Sequence, residues 1–228
     1  MMKKIHYIYM VLVAVALASC NDWLDVQPHS QIEDSELFSS ESGYKEALAG
    51  VYSSMVSTST YAKEMTFGFI GVLGQEWDYY SSAQYDAVAT YDYEAAYPTN
   101  YINAIWKNNY TGISNVNNLL AHIDGGASLF SEDNYEVIKG EALALRAMLH
   151  FDLLRCFGVS FAVNPDMPSI PYSTALDYHV FPQLTVAEAA TQVLADLLQA
   201  EALLREADPI VTGRVITELD DNGYLINR

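Results

Sequence analysis

The sequence predicts an all-α protein built from packed helical hairpins with long irregular loops between them. Four segments repeat apolar residues at steps of three and four, and almost no segment alternates apolar and polar residues as a strand does. Amphipathic helices without a sheet to cover bury their apolar faces against one another. A short turn containing Gly125 and Gly126 separates the second and third segments, so these two helices are expected to run antiparallel.

The first two helices are predicted over residues 42–57 and 100–123. Tyr44 and Tyr52 fall on the apolar stripe of the first helix, and both are expected to lie in the core. Trp106 and Tyr110 fall on the stripe of the second helix, and the same argument places them in the core.

The third and fourth helices have the clearer boundary signals. The third is predicted over residues 132–157, with Ser131 as its N-cap and Gly158 as its stop. The fourth starts after Thr185, where Thr185 and Glu188 have the spacing of a capping box, and it ends before Asp208. Residues 58–98, rich in tyrosine and glycine, and residues 159–184, rich in proline, are predicted to be loops with at most short elements.

The start of the chain has the three parts of a secretory signal. Lys3 and Lys4 precede an apolar run at residues 8–17, which is shorter than the roughly 20 residues of a membrane-spanning helix. Small residues and then Cys20 follow, as in a bacterial lipoprotein signal, in which the cysteine is acylated after cleavage. The alternative is an ordinary signal peptide with an incidental cysteine. We expect a signal at residues 1–19, an extended tether at residues 20–40 and a helical domain at residues 41–228.

The charge of the chain limits its partners. Residues 20–228 carry all 29 acidic side chains and nine of the 11 basic ones, for a net charge of −20. Such a surface repels nucleic acid and anionic lipid headgroups but does not exclude a neutral ligand such as a sugar. With Cys20 assigned to the lipid, Cys156 has no partner for an intramolecular disulfide and is interpreted as a buried structural thiol.

Aromatic residues form the strongest candidate for a binding site. Ten of the 34 residues from Trp77 to Tyr110 are aromatic, and tyrosine and tryptophan rings suit the C–H faces of sugars. For Trp77, Asp78, Tyr79 and Tyr80 a ligand platform and local packing are equally favoured. The five histidines are scattered without metal-ligand spacing, and neither a phosphate-binding glycine loop nor a GxSxG motif is present. A pair of glycosidase carboxylates stays possible, but no enzyme activity, cofactor or metal is predicted.

Several segments resemble the SusD/RagB family of outer-membrane nutrient-uptake lipoproteins. They are CNDWLDVQP at residues 20–28, YKEALAGVY at residues 44–52, the stretch from Trp106 to Leu120, and GEALALRAMLHFDLLRCFG at residues 140–158. The last is the most specific, although His150 stands where tyrosine is usual. Within it, Glu141 with Arg146 and Asp152 with Arg155 are expected to offset one another's charge.

This resemblance implies a fold of tetratricopeptide-like helical hairpins and a function in glycan uptake. It implies a surface-exposed lipoprotein of the outer membrane that binds glycan without catalysis and passes it to a SusC-type TonB-dependent transporter. The family seats sugar on loop aromatics, which here implies Trp77, Asp78, Tyr79, Tyr80, Tyr93 and Tyr97. Family members are about twice this long, so the helical domain is expected to be incomplete at its C-terminus and to leave an apolar helix face uncovered. The alternative is a structural or protein-binding lipoprotein without a sugar ligand.

Overall fold

The computed structural model describes residues 34–79, 82, 84–177 and 180–213, and this part of the chain is mainly helical, as predicted. The helices are α1 (Asp34–Leu37), α2 (Glu41–Met55), α3 (Phe69–Leu73), α4 (Tyr85–Ala89), α5 (Ala96–Ile123), α6 (Asn134–Phe157), α7 (Val186–Ala207) and α8 (Pro209–Thr212). A 3₁₀ turn spans Ala127–Leu129, and two short strands are β1 (Pro168–Pro171) and β2 (Gln183–Thr185). The chain divides between Glu36 and Leu37 into two units, and the helical core belongs to the second.

The four predicted helices correspond to α2, α5, α6 and α7. Helices α5 and α6 run antiparallel, because Ile123 at the end of α5 shares a buried cluster with Ile138 near the start of α6. Further from the turn, Ile113 of α5 packs in a second cluster with Leu149 of α6. The hydroxyl of Tyr44, near the start of α2, donates to the carbonyl of His122 at 2.9 Å, which aligns α2 antiparallel to α5 as well.

Helix α7 packs antiparallel against α6 at close range. A Cβ on Gly140 would lie 2.7 Å from Leu204 Cγ, so glycine is the residue that lets the two helices approach here. Along the same interface Ala147 of α6 packs with Val193 of α7. The three helices α5, α6 and α7 therefore form two consecutive antiparallel hairpins, the layout that the sequence predicts.

The starts of two helices differ in how well the sequence predicts them. The capping box of α7 is confirmed, with the Glu188 backbone N–H donating to Thr185 Oγ1 at 3.2 Å and the Thr185 N–H donating to Glu188 Oε2 at 2.8 Å. The prediction of Ser131 as N-cap of α6 is wrong, since α6 begins at Asn134. The backbone N–H and hydroxyl of Ser131 instead donate to the Glu41 carboxylate of α2, at 2.8 and 2.9 Å.

The two predicted loops contain short elements. Strands β1 and β2 pair antiparallel within residues 159–185, with Pro168 opposite Thr185. Helices α3 and α4, five residues each, lie within residues 58–98. Of the expected tether at residues 20–40, only residues 34–40 are described, and Asp34–Leu37 forms one helical turn there instead of extended chain. Among the described residues, none of the helices has the length and apolar character to cross a membrane.

Of the four aromatic residues predicted to lie in the core, two are buried or partly buried, and two are exposed. Tyr44 is fully buried, whereas Tyr52 is 44% exposed and its hydroxyl lies 3.4 Å from Glu141 Oε2. Tyr110 is partly buried, with its hydroxyl donating to the Pro171 carbonyl at 2.8 Å. Trp106 is exposed at the surface, where its ring meets the edge of Phe157. The partner helices cover a narrower face than the full apolar stripe, so the residues at its margin meet solvent.

Candidate functional site

We call the chain between the end of α2 at Met55 and the start of α5 at Ala96 the aromatic segment. The buried carboxylate of Glu64 holds this segment in place. Glu64 is 3% exposed, and its Oε2 accepts from the backbone N–H of Phe69 at 2.8 Å and from the Tyr85 hydroxyl at 3.2 Å. Its Oε1 pairs with Lys63 Nζ at 2.9 Å. The Glu64 carboxylate thus accepts a hydrogen bond from a free backbone N–H at the start of α3 and another from the first residue of α4. Lys63 balances its negative charge.

Gly68 makes this arrangement possible. A Cβ on Gly68 would lie 2.6 Å from Glu64 Oε2 and 2.9 Å from the Lys63 carbonyl oxygen, so any larger residue displaces the carboxylate. The role of Glu64 is not apparent from the sequence, because an isolated glutamate in a loop resembles a solvated surface residue. The neighbouring glycine is the signal that could have pointed to it.

Beneath the segment lies an apolar cluster that joins α3, α4 and the first half of α5. It contains the buried residues Met65, Phe69, Val72, Val88 and Ile105. Tyr101 of α5 packs on this cluster, with its ring centroid 5.6 Å from that of Phe69 and 6.1 Å from that of Tyr85. Much of the aromatic content of the segment therefore serves local packing.

The residues that follow α3 divide between exposure and packing. Trp77 is 54% exposed, and its indole edge lies against Gly71, where a Cβ would come 2.3 Å from Nε1. Asp78 is also exposed. Tyr79 is half-buried against the apolar cluster, and desolvation together with the nearby Asp86 carboxylate raises the pKa of its hydroxyl. Tyr80 lies outside the described residues.

The residues that enter α5 present a second group of rings. Tyr93 is 50% exposed and Tyr97 is 41% exposed. Tyr91, which the sequence analysis did not select as a site residue, is 48% exposed in the same turn and has a positive φ of 58°. The Thr99 hydroxyl donates to the Tyr93 carbonyl at 3.0 Å, which ties this turn to the start of α5. We call the exposed side chains of Trp77, Tyr91, Tyr93 and Tyr97 the aromatic surface.

A pocket of about 430 Å³ has one ring of the aromatic surface, Tyr93, in its wall. Its walls come from α3, α5 and the end of α6, and it is lined by Met65, Phe69, Ile70, Leu73, Gly74, Tyr93, Ile102, Ile105, Arg155, Cys156 and Phe157. Tyr93 therefore lines the same pocket as Leu73, the last residue of α3, which is four residues before Trp77. The pocket is mostly apolar, and its volume is in the range of small-molecule sites.

Two residues at the end of α6 that line the pocket, Cys156 and Arg155, were the subject of predictions from the sequence. Cys156 is half-buried, and burial raises the pKa of its thiol, which favours the uncharged form expected of a structural cysteine. The expected pairing of Asp152 with Arg155 is confirmed: Arg155 Nε donates to Asp152 Oδ1 at 3.1 Å. Among the described residues, no cluster of histidine, cysteine, aspartate and glutamate has the arrangement to hold a metal ion.

Comparison with known families adds the assignment that the geometry alone does not give. A SusD-like family model, described as "Starch-binding associating with outer membrane", matches residues 22–212. The chain belongs to the SusD-like family. No curated protein matches it.

Solved structures of other proteins have the same fold as this SusD-like chain. A putative sugar binding protein from Bacteroides vulgatus is 24% identical with a TM-score of 0.60, over 72% of this chain and 37% of that one. A SusD superfamily protein from Bacteroides fragilis is 23% identical with a TM-score of 0.58, over 71% of this chain and 39% of that one. This chain therefore spans less than two fifths of the length of either structure.

The most specific family segment, residues 140–158, carries a buried polar network in this SusD-like chain. The expected pairing of Arg146 with Glu141 is wrong, because Arg146 makes a bidentate pair with Asp196 of α7, at 2.6 and 2.8 Å. The Tyr172 hydroxyl donates to the same carboxylate at 2.6 Å. A third Arg146 nitrogen donates to Asn117 Oδ1 of α5 at 3.2 Å. This network joins the three long helices to the segment after β1.

Proposed function

We propose that this SusD-like chain binds glycan at the outer membrane and passes it to a SusC-type TonB-dependent transporter. The observation that carries the proposal is the aromatic surface, in which four rings are between 41% and 54% exposed and one of them, Tyr93, also lines a pocket. The family description as starch-binding supports a carbohydrate as the ligand. The description of the similar Bacteroides vulgatus structure as a putative sugar binding protein points the same way.

Exposed rings have a physical reason to bind sugar. The flat face of tryptophan or tyrosine packs against the apolar C–H face of a pyranose, while the indole N–H and phenol hydroxyl stay available to sugar hydroxyls. The chain carries a net charge of −18, which favours a neutral glycan over an anionic one. Asp78, exposed beside Trp77, adds a carboxylate that accepts hydrogen bonds from sugar hydroxyls.

The membrane part of the proposal rests on the start of the chain. Cys20 is proposed as the lipid attachment site after removal of residues 1–19, and all of these residues lie outside the described part of the chain. A diacylglyceryl group gives more than one buried acyl chain, which is what stable anchoring requires. The description of the family as associating with the outer membrane supports this location.

A titration of the full chain with soluble starch tests glycan binding. Trp77→Ala and Tyr93→Ala are each expected to weaken binding about tenfold, equivalent to a loss of about 1.4 kcal/mol. Tyr52→Ala is the matched control, since Tyr52 is 44% exposed on α2 but lies beside Glu141, towards the opposite end of α5. Calorimetry that shows no binding, or an equal loss in the Tyr52 variant, would contradict the proposal.

A protein-binding role without a sugar ligand is the second candidate function. The exposed leucines of α7 favour it, because Leu194, Leu197 and Leu198 lie at steps of three and four on one helix face. The two candidates separate in the same titration, since only the first predicts an effect of the aromatic substitutions. Incubation with starch should release no reducing ends in either case, and their release would indicate an enzyme.

A further inference from the structure

The pocket beside the aromatic surface has the lining of an aryl site, not of a sugar site. Phe69, Leu73, Ile102 and Ile105 supply apolar walls, and its two sulfur atoms come from Met65 and Cys156. A sugar placed here would lose water from its hydroxyls without regaining hydrogen bonds, which is unfavourable for each of them. An apolar group loses no such bonds and gains contact with the walls.

The polar groups of the pocket are already engaged. The Arg155 guanidinium pairs with Asp152, and that carboxylate also accepts from the Tyr61 hydroxyl at 2.6 Å. Because this charge is balanced within the protein, the pocket does not call for an anionic ligand. The other polar side-chain groups of the lining are the Cys156 thiol and the Tyr93 hydroxyl, and burial raises the pKa of the thiol, which favours its uncharged form.

An aromatic occupant fits the lining better than an aliphatic one. The rings of Phe69, Phe157 and Tyr93 offer offset or edge contacts, and sulfur atoms contact aromatic rings favourably. A cavity of about 150 Å³ holds benzene, so a pocket of about 430 Å³ takes a substituted ring. Tyr93 belongs to both the pocket wall and the aromatic surface, so a group in the pocket stays within reach of a sugar on that surface.

We propose that the pocket binds a neutral aryl substituent, such as a phenolic ester, carried by the glycan. This inference rests on the proposed function for the glycan part of the ligand. It adds to the glycan on the aromatic surface an aromatic ester or aryl substituent that occupies the pocket. The sugar would lie on the aromatic surface and the substituent in the pocket, with Tyr93 between them.

The test uses a probe without sugar, methyl 4-hydroxycinnamate, titrated into the full chain. A dissociation constant of about 1 mM is expected for a ligand of this size. Methyl 3-cyclohexylpropanoate, which is similar in size but aliphatic, should bind at least about threefold more weakly. Leu73→Trp, which fills the pocket, should weaken binding of the aromatic ester at least about tenfold, whereas Phe161→Ala, at an exposed site outside the pocket, should not change it.

A second measurement needs no variant. Alkylation of Cys156 by iodoacetamide, followed by peptide mass spectrometry to separate it from Cys20, should be slower in the presence of the aromatic ester. Absence of saturable binding and of protection, or equal binding of the two esters, overturns the inference. Starch binding measured in parallel separates the two proposals, because starch binding without ester binding overturns only the aryl site. Ester binding without starch binding overturns the proposed function.

Discussion

His150 is a single side chain whose protonation state is set by its surroundings. The Ser173 backbone N–H donates to His150 Nε2 at 3.0 Å, which requires that Nε2 carry no proton. Nδ1 then carries the proton and donates to the Arg146 carbonyl at 2.8 Å. The ring also stacks on Tyr172 with centroids 3.8 Å apart. Burial lowers the pKa of His150 to about 4, aided by the Arg146 charge and opposed by the hydrogen bond to the Arg146 carbonyl and by Asp196.

This depressed pKa predicts a loss of stability in mild acid. Below pH 6.5, the ordinary histidine pKa, the unfolded chain takes up a proton at this position while the folded chain does not. The free energy of unfolding should fall by up to about 3 kcal/mol from this group as the pH drops from 6.5 to 4. Urea unfolding at a series of pH values measures it. His150→Gln should flatten that part of the profile, and an unchanged slope in this variant would count against the assignment.

The partners of individual side chains were predictable only where the partner is close in sequence. Asp152 and Arg155 lie one helical turn apart, and their pairing follows from helix geometry. Arg146 pairs with Asp196, which is 50 residues away, and no local spacing indicates that contact. The same limit explains Glu64, whose partner Tyr85 lies 21 residues further along the chain.

Helices were predicted better than strands, because capping residues and apolar stripes can be recognised within one continuous stretch of sequence. The start of α7 follows from two residues of its capping box, and the stripes of α2, α5 and α6 each extend over four turns or more. Strands β1 and β2 have four and three residues, and β1 contains two prolines, so no alternating pattern could announce them. Their pairing depends on the packing of the surrounding helices.

The capping box of α7 gives a stability prediction for that helix. Thr185→Ala removes the acceptor of the Glu188 backbone N–H and should lower the free energy of unfolding by about 1 kcal/mol. Thr191→Ala is the matched control, because Thr191 is exposed in the middle of the same helix and its hydroxyl bonds only the Ala187 carbonyl. Denaturant unfolding should show a change within about 0.5 kcal/mol for the control. A loss of similar size in both variants would argue against the cap as the cause.

The whole chain combines a strongly acidic composition with exposed leucines on one face of α7. Leu194 and Leu198 are each more than half exposed, and Leu197 lies between them on the same face. Composition alone indicates an aromatic segment, but the exposure of each ring depends on contacts between elements. This is why Tyr79 packs inwards although it was predicted as a site residue, and why the exposed Tyr91 was not.

That apolar face predicts concentration-dependent self-association. Light scattering coupled to size-exclusion chromatography should show an average mass that rises with protein concentration, because burial of exposed apolar area favours association. The double variant Leu194→Gln with Leu198→Gln should reduce the rise markedly. Leu176→Gln, at an isolated exposed leucine outside α7, should leave it unchanged. A wild-type chain that stays monomeric at all concentrations would refute the prediction.

Glu64 anchors the aromatic segment without involving the exposed rings. The residues that hold the segment, Glu64, Gly68 and Tyr85, are distinct from the exposed rings that meet solvent. Substitution of exposed side chains costs little stability, commonly less than about 0.5 kcal/mol. Trp77, Tyr91 and Tyr97 can therefore be exchanged in relatives while the backbone beneath them keeps its shape. Under the proposed function, a new glycan specificity is then open to selection without an accompanying change of fold.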